Sequence, residues 1–181
     1  MKPFNPRPRP CPVCAKDYVP VRPMQAVCSP RCAARKVKQD KAEERAKVKT
    51  RREKLKTNGQ RKAEAQAALN HWIVHVRDKH QPCISCGRHH EGVWHAGHFR
   101  SRGSAPHLAL DPRNLAKQCA PCNLRLHGNL IGFRQGLIER YGISHVEQLE
   151  ADNEPRHYSP DDLDAIKKEY RALARQAKER A

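Results

Sequence analysis

Apolar residues at Leu69, Trp72, Ile73 and Val76 follow the i, i+3, i+4, i+7 spacing of a single helical face. This stripe predicts a core-forming helix that starts after "TNGQ" at 57–60 and stops before Pro82. Leu130, Phe133, Leu137 and Ile138 mark a second amphipathic helix that ends near Gly142. "SHVE" at 144–147 has capping-box form and predicts the start of a short helix. "SPDD" at 159–162 is a stronger start signal: Ser159 suits the N-cap, Pro160 the first helical position, and two acids complement the helix dipole. Leu163, Ile166, Tyr170 and Leu173 then give that helix one packed face. From Ala33 to about Lys56 there is no proline or glycine, and Ala, Lys, Arg and Glu dominate, so this stretch is also expected to be helical. Its apolar positions (Val37, Ala42, Ala46, Val48, Leu55) form no stripe, which predicts a solvated helix without firm packing.

Composition limits how much core these helices can share. Only 38% of the 181 residues are apolar and 5% aromatic, which suits one compact domain or two small ones stabilised by something besides a large core. The cysteines supply a candidate. All eight fall into two quartets, Cys11, Cys14, Cys28 and Cys32, then Cys83, Cys86, Cys119 and Cys122. Each quartet is a pair of short-spaced knuckles joined by a longer loop, the pattern of a four-cysteine zinc site. Apart from the quartets there is no internal repeat. The expected organisation is a disordered basic lead-in over 1–10, which carries four prolines and three cations, followed by a zinc knuckle over 11–32. A basic helical region over 33–80, a Cys/His-rich module over 81–142 and a helical region over 143–181 complete it. The fold class is α+β, built from small zinc-stabilised modules.

Charge points to the partner. The chain has 36 Lys and Arg against 19 Asp and Glu, for a formal net charge of +17, and nucleic acid is the default counterpart of so basic a protein. Residues 35–62 hold 13 Lys and Arg against 4 Asp and Glu, more than half of that excess. Lys47, Arg51 and Arg52 are the cations of this helix expected to lie along DNA phosphates, with release of counterions. No apolar run approaches the roughly 20 residues of a spanning helix. The first ten residues lack the apolar segment of a signal peptide. The expectation is a cytoplasmic protein without a membrane partner.

The 32 residues between Cys86 and Cys119 are long for a ribbon loop, and they contain chemistry. His95 and His98 sit in "VWHAGHFRSR", Asn114 in "DPRNL", and Asn123, His127 and Asn129 follow the last cysteine in "NLRLHGN". The order Cys-x2-Cys, His, Asn, Cys-x2-Cys, Asn/His resembles that of HNH nucleases. The motifs "CISCG", "HAGHFRSRG", "DPRN", "QCAPCN" and "GN" narrow the resemblance to the NinG (Rap) family of phage recombination proteins, over nearly the whole chain. It implies a ββα-metal core, in which a β-hairpin carries a general-base histidine and the next helix adds a metal ligand. It also implies a structure-specific endonuclease acting on Holliday junctions and D-loops, within host cytoplasm if phage-encoded.

Carried onto this chain, His98 is the expected general base and Asn114 the residue that orients it. His95 and Asn123 are the expected ligands of the catalytic cation, with His127 and Asn129 weaker candidates for the same shell. The roles of His95 and His98 are interchangeable at this level. His95 stands where the family pattern calls for an acid, a change that favours Zn2+, Ni2+ or Mn2+ over Mg2+ if the residue is a ligand. The cofactors implied are two structural Zn2+ and one catalytic divalent cation, Mg2+ or Mn2+, with Ni2+ or Zn2+ as alternatives. Arg100, Arg102 and Arg113 are the expected phosphate contacts, whereas His89, His90 and His107 are expected to be bystanders. Junction symmetry suggests a homodimer. Two other functions fit: a non-catalytic zinc-binding recruitment factor for DNA or RNA, and a sequence-specific HNH endonuclease on duplex DNA.

Overall fold

A computed structural model describes residues 5–180, which form one compact unit ending at Lys56 and another beginning at Thr57. In the first, β1 (Arg9–Pro10) pairs antiparallel with β2 (Asp17–Tyr18), and the long helix α1 spans Pro30–Lys54. The expected lead-in over 1–10 falls partly outside the described residues. Within them Arg9 and Pro10 are a strand, because the Arg9 guanidinium packs over the Tyr18 ring and donates to its hydroxyl at 3.1 Å. Helix α1 begins inside the cysteine quartet rather than after it. The Ser29 side chain accepts from Cys32 N at 3.2 Å, and Pro30 takes the first helical position. Cys32 is the one buried residue of α1, so the expectation of a helix without a packing face holds.

The second unit carries the hydrophobic stripes. Helix α2 (Asn58–Trp72) continues as one π-helical turn through Ile73–Arg77, and "TNGQ" opens it. Thr57 Oγ1 accepts from Gln60 N while Gln60 Oε1 accepts from Thr57 N, a reciprocal cap. Helix α5 (Pro160–Glu179) starts at Ser159 as expected and lies against α2, with the Trp72 and Tyr170 rings 5.1 Å apart. Between the helices in sequence are β3 (Trp94–His98) and β4 (Leu115–Cys119), an antiparallel pair in which His95 faces Gln118 and His98 faces Leu115. All five residues of β4 are buried because the strand has a core on each side. Leu115 joins Leu69, Ile73, Leu163 and Tyr170 under α2 and α5. Ala116, pointing the other way, joins Phe133, Leu137, Val146 and Leu149 under α3 (Leu130–Tyr141) and α4 (Ile143–Ala151).

Two details fix the hairpin in place. Arg77, at the end of α2, donates to the carbonyls of Pro112 (2.7 Å) and Leu115 (2.6 Å), and buried Asp78 accepts from Lys117 N at 2.9 Å. On the other side, α3 approaches the Cys83–Cys86 knuckle backbone so closely that only glycine fits. A Cβ on Gly136 would run into the Ile84 carbonyl oxygen, and one on Gly132 into that of Ser85. Gly136→Ala is therefore expected to cost about 2–3 kcal/mol, the upper range for overpacking, despite alanine's better helix propensity. A thermal melt that shifts by less than a degree would contradict this contact. The α4 start differs from expectation: Ser144 is inside the helix and makes no cap, because Gly142 (φ 86°) both ends α3 and caps α4.

Candidate metal and nucleic-acid site

The second cysteine quartet assembles from three local structures. Cys83 and Cys86 lie in a tight turn closed by Gly87 N donating to Cys83 O at 2.9 Å, with Gly87 at φ 64°. Cys119 is the last residue of β4, and Cys122 sits in a π-helical turn over Pro121–Arg125. The four Sγ atoms lie within 4.8 Å of one another, as do those of Cys11, Cys14, Cys28 and Cys32. Thiolates about 2.3 Å from one tetrahedral ion would be roughly 3.8 Å apart, so each cluster can hold a metal ion. Hydrogen-bond donors support thiolate charge in the second cluster. Cys119 N donates to Cys83 Sγ at 3.4 Å, and Asn129 Nδ2 to Cys122 Sγ at 3.6 Å. His90 is no bystander: its Nε2 is 3.2 Å from Cys86 Sγ, and its ring meets Trp94 edge-on. Burial resists ionisation of Cys86, but the His90 contact and backbone donors outweigh it and bring the thiol down to about 6. Burial pushes Cys119 up to about 12, as expected where crowded sulfurs cannot all ionise without a cation.

Beside this cluster, His95, His98, Asn123 and His127 line one cleft of about 350 Å³, with Arg102, Ser101 and Asn70 also on its walls. β3 supplies the first two histidines, the π-helical turn Asn123, and the turn beyond it His127. His127, Gly128 and Asn129 are three consecutive left-handed residues (φ 48°, 93°, 41°), a costly path held by Gly128 N donating to Cys122 O at 3.0 Å. Gln118 Nε2 also donates to Gly128 O at 2.6 Å. Gly97 is required between the histidines because a Cβ there would strike the Gln118 side chain and Phe133. The helix expected to follow the hairpin is here only this π-helical turn before α3 begins at Leu130.

The two β3 imidazoles of the cleft differ in their surroundings. His95 Nε2 is buried with no hydrogen-bond partner among the described residues, and an orphaned imidazole nitrogen beside Asn123 and His127 fits a divalent cation. His98 Nε2 lies 3.1 Å from the Ala109 carbonyl and, as donor, leaves Nδ1 with the free lone pair. Burial holds the His98 pKa below its ordinary value of 6.5 against the Ala109 hydrogen bond, and the Arg102 charge adds to the lowering. His98 is therefore neutral near pH 7. Asn114 does not touch it. The fully buried Asn114 side chain accepts from Arg100 N (2.8 Å) and donates to the carbonyls of Arg100 (2.9 Å) and Leu108 (3.1 Å). All three bonds are to backbone of the 99–114 connection.

A family model described as Bacteriophage Lambda NinG protein matches residues 3–180. This chain belongs to the NinG family. Protein ninG of Salmonella phage P22 is 35% identical over 176 residues, covering 87% of this chain and 86% of the relative. Protein ninG of Escherichia phage lambda is 34% identical over the same length and shares. That of Escherichia phage 933W is 39% identical over 124 residues, 68% of this chain and 61% of the relative. No solved structure matches. Among the described residues of this NinG-family protein, no helix is long and apolar enough to cross a membrane.

The arginines divide by their partners. Arg100 is fastened internally: it donates to the carbonyls of Leu149 (3.0 Å) and Asp152 (2.6 Å) and to Asn153 Oδ1 (2.9 Å), capping α4 rather than reaching a phosphate. Arg113 pairs with Asp111 at 2.7 Å and approaches Asp152 at 3.8 Å, so its charge is also engaged within the protein. His107 is half-buried with Nε2 2.8 Å from the Asp152 carbonyl, which corrects its expected exposure. Asn129 is turned to the Cys122 sulfur and the Ser85 carbonyl rather than the cleft. Arg102 remains on the cleft wall, while Lys47, Arg51 and Arg52 are exposed along α1. Arg100→Ala is expected to cost about 2 kcal/mol of stability, the range for charge-assisted hydrogen bonds. Arg102→Ala, at an exposed position with no ion pair within the protein among the described residues, should leave the melt unchanged. Equal effects of the two substitutions on melting would contradict the division.

Proposed function

We propose that this NinG-family protein is a metal-dependent endonuclease with an HNH-type ββα-metal core. In this reading it hydrolyses phosphodiester bonds in branched recombination intermediates, Holliday junctions and D-loops, during phage recombination. The observation that carries the reading is the convergence of His95, His98, Asn123 and His127 on one cleft beside a four-cysteine cluster. Two structural zinc ions, one per quartet, hold the modules together. His98 Nδ1 takes a proton from water as that water attacks phosphorus, a role suited to an imidazole neutral at working pH. Arg102 positions the phosphate. His95 Nε2, Asn123 and His127 would hold a divalent cation, Mn2+ or Mg2+ with Ni2+ or Zn2+ as alternatives, which supplies Lewis-acid stabilisation of the leaving oxygen. Lys47, Arg51 and Arg52 add phosphate contacts along α1, and a homodimer would present two sites for paired nicks.

The test is incubation of the purified protein with a labelled four-way junction and each metal in turn. Nicking at the junction with little cutting of linear duplex is the expected result. No turnover with Mg2+, Mn2+, Ni2+ or Zn2+ would leave the second reading, a non-catalytic zinc module that recruits DNA or RNA, which the imidazole of His95 in the family's acid position favours. Sequence-dependent cutting of linear duplex would instead indicate a site-specific HNH enzyme.

A further inference from the structure

On a different face of α2 from Asn70, which lines the cleft, a groove of about 680 Å³ runs between α2 and α5. Its floor is apolar and shallow, formed by Ala67, Ala68, Ala174 and the buried ring of Tyr170. Its rim is cationic. Lys168, Arg171 and Arg175, exposed at i, i+3 and i+7 of α5, line one side, and no ion pair engages them among the described residues. Lys167 contributes little free charge because Glu64 (3.2 Å) and Asp164 (2.7 Å) hold its ammonium. The rim charges span about 10 Å of helix at roughly 1.5 Å per residue.

From this juxtaposition we infer that the α2–α5 groove docks an acidic amphipathic helix of a partner protein. Three alanines let a helix backbone approach closely, and Tyr170, though largely buried, completes the apolar lining on which an anchor would rest. The unpaired cations match acidic side chains flanking that anchor and would steer its approach. A DNA backbone would satisfy the rim but leave the apolar floor uncovered. A second copy of a chain with net charge +17 lacks the complementary sign.

The experiment uses the full-length protein and a fluorescein-labelled peptide with Leu at i, i+3, i+4 and i+7 and Asp or Glu elsewhere. Anisotropy is expected to show saturable binding that a scrambled peptide of the same composition reproduces at least about tenfold more weakly. Ala174→Trp, which fills the groove without changing charge, and Arg171→Glu should each weaken binding by a similar factor. Ala174→Trp should leave duplex DNA affinity unchanged. Should Ala174→Trp lower the melting temperature, the exposed pair Lys168→Glu and Arg175→Glu carries the test in its place. Equal binding of the scrambled peptide, indifference to these substitutions, or a loss of duplex affinity in Ala174→Trp overturns the proposal. Metal and cleavage are not involved, so failure here is distinct from failure of the nuclease reading.

Discussion

Stripping metal from the Cys83–Cys86–Cys119–Cys122 cluster is expected to dismantle the cleft, and Cys119→Ser should do the same. Three local structures contribute these sulfurs, the knuckle turn, the end of β4 and the π-helical turn that bears Asn123, and only a few hydrogen bonds such as Ile84 N to Lys117 O (3.0 Å) and Gln118 Nε2 to Ser85 Oγ (2.6 Å) otherwise tie them. Structural zinc contributes about 10–16 kcal/mol in zinc-finger peptides, comparable to the whole stability of an ordinary domain at about 5–15 kcal/mol. The knuckle also supplies the Ile84 and Ser85 carbonyls against which α3 rests at Gly136 and Gly132, so its loss should propagate into the Phe133–Leu137 core. The α2–α5 pair has its own core around Leu69, Ile73 and Leu163 and should keep part of its helix content. Circular dichroism with a strong zinc chelator measures this. The expected result is a partial loss of helix signal, a collapsed thermal transition, and recovery on adding Zn2+. An unchanged melt would mean that the cores alone hold the hairpin.

His98→Ala is expected to lower junction cleavage by about 10²–10⁴-fold, the usual contribution of a general base, while junction binding is retained. The pH dependence has a defined sign. Burial depresses the His98 pKa below 6.5, so the neutral, proton-accepting form persists as pH falls to 6.5 and activity declines only below it. The same shift links to stability: an unfolded histidine binds a proton near 6.5 and the folded one does so at lower pH. The contribution of neutral His98 is thus complete above 6.5 and is lost as pH falls through the lowered value. His98→Ala should remove this part of the acid destabilisation along with the acidic limb of the rate profile. Cleavage that persists in the variant with the same profile would remove His98 from the chemistry.

Much of this architecture was legible because single-residue chemistry dictated it. The Leu69–Val76 and Leu163–Leu173 stripes became the two facing helices, since a face at helical period has nowhere to go but against another. The cysteine spacings placed both clusters. What failed was local and had physical causes. "SPRC" at 29–32 carries the same Ser-Pro start as "SPDD", so the helix expected from Ala33 begins at Pro30, inside the stretch assigned to the knuckle. "SHVE" has capping-box form, but Gly142 with φ above zero turns the chain two residues earlier. Arg100 beside two histidines resembled a phosphate contact, and nothing local revealed the α4 carbonyls, about 50 positions away, that it caps. His90 lies four residues after Cys86, a spacing that is itself a usable signal for a cluster partner. Asn114, expected to orient His98, instead bonds backbone groups of Arg100 and Leu108, a pairing that only the folded 99–114 connection reveals.

In the proposed site His95, Asn123 and His127 hold one divalent cation beside His98. Crystals soaked in Mn2+ and measured at the manganese edge test it most directly. One anomalous peak is expected in the cleft, within bonding distance of His95 Nε2 and separate from both cysteine clusters, and it should be lost in His95→Ala. Manganese found nowhere in the cleft, in crystals whose cysteine clusters are filled with zinc, would contradict it.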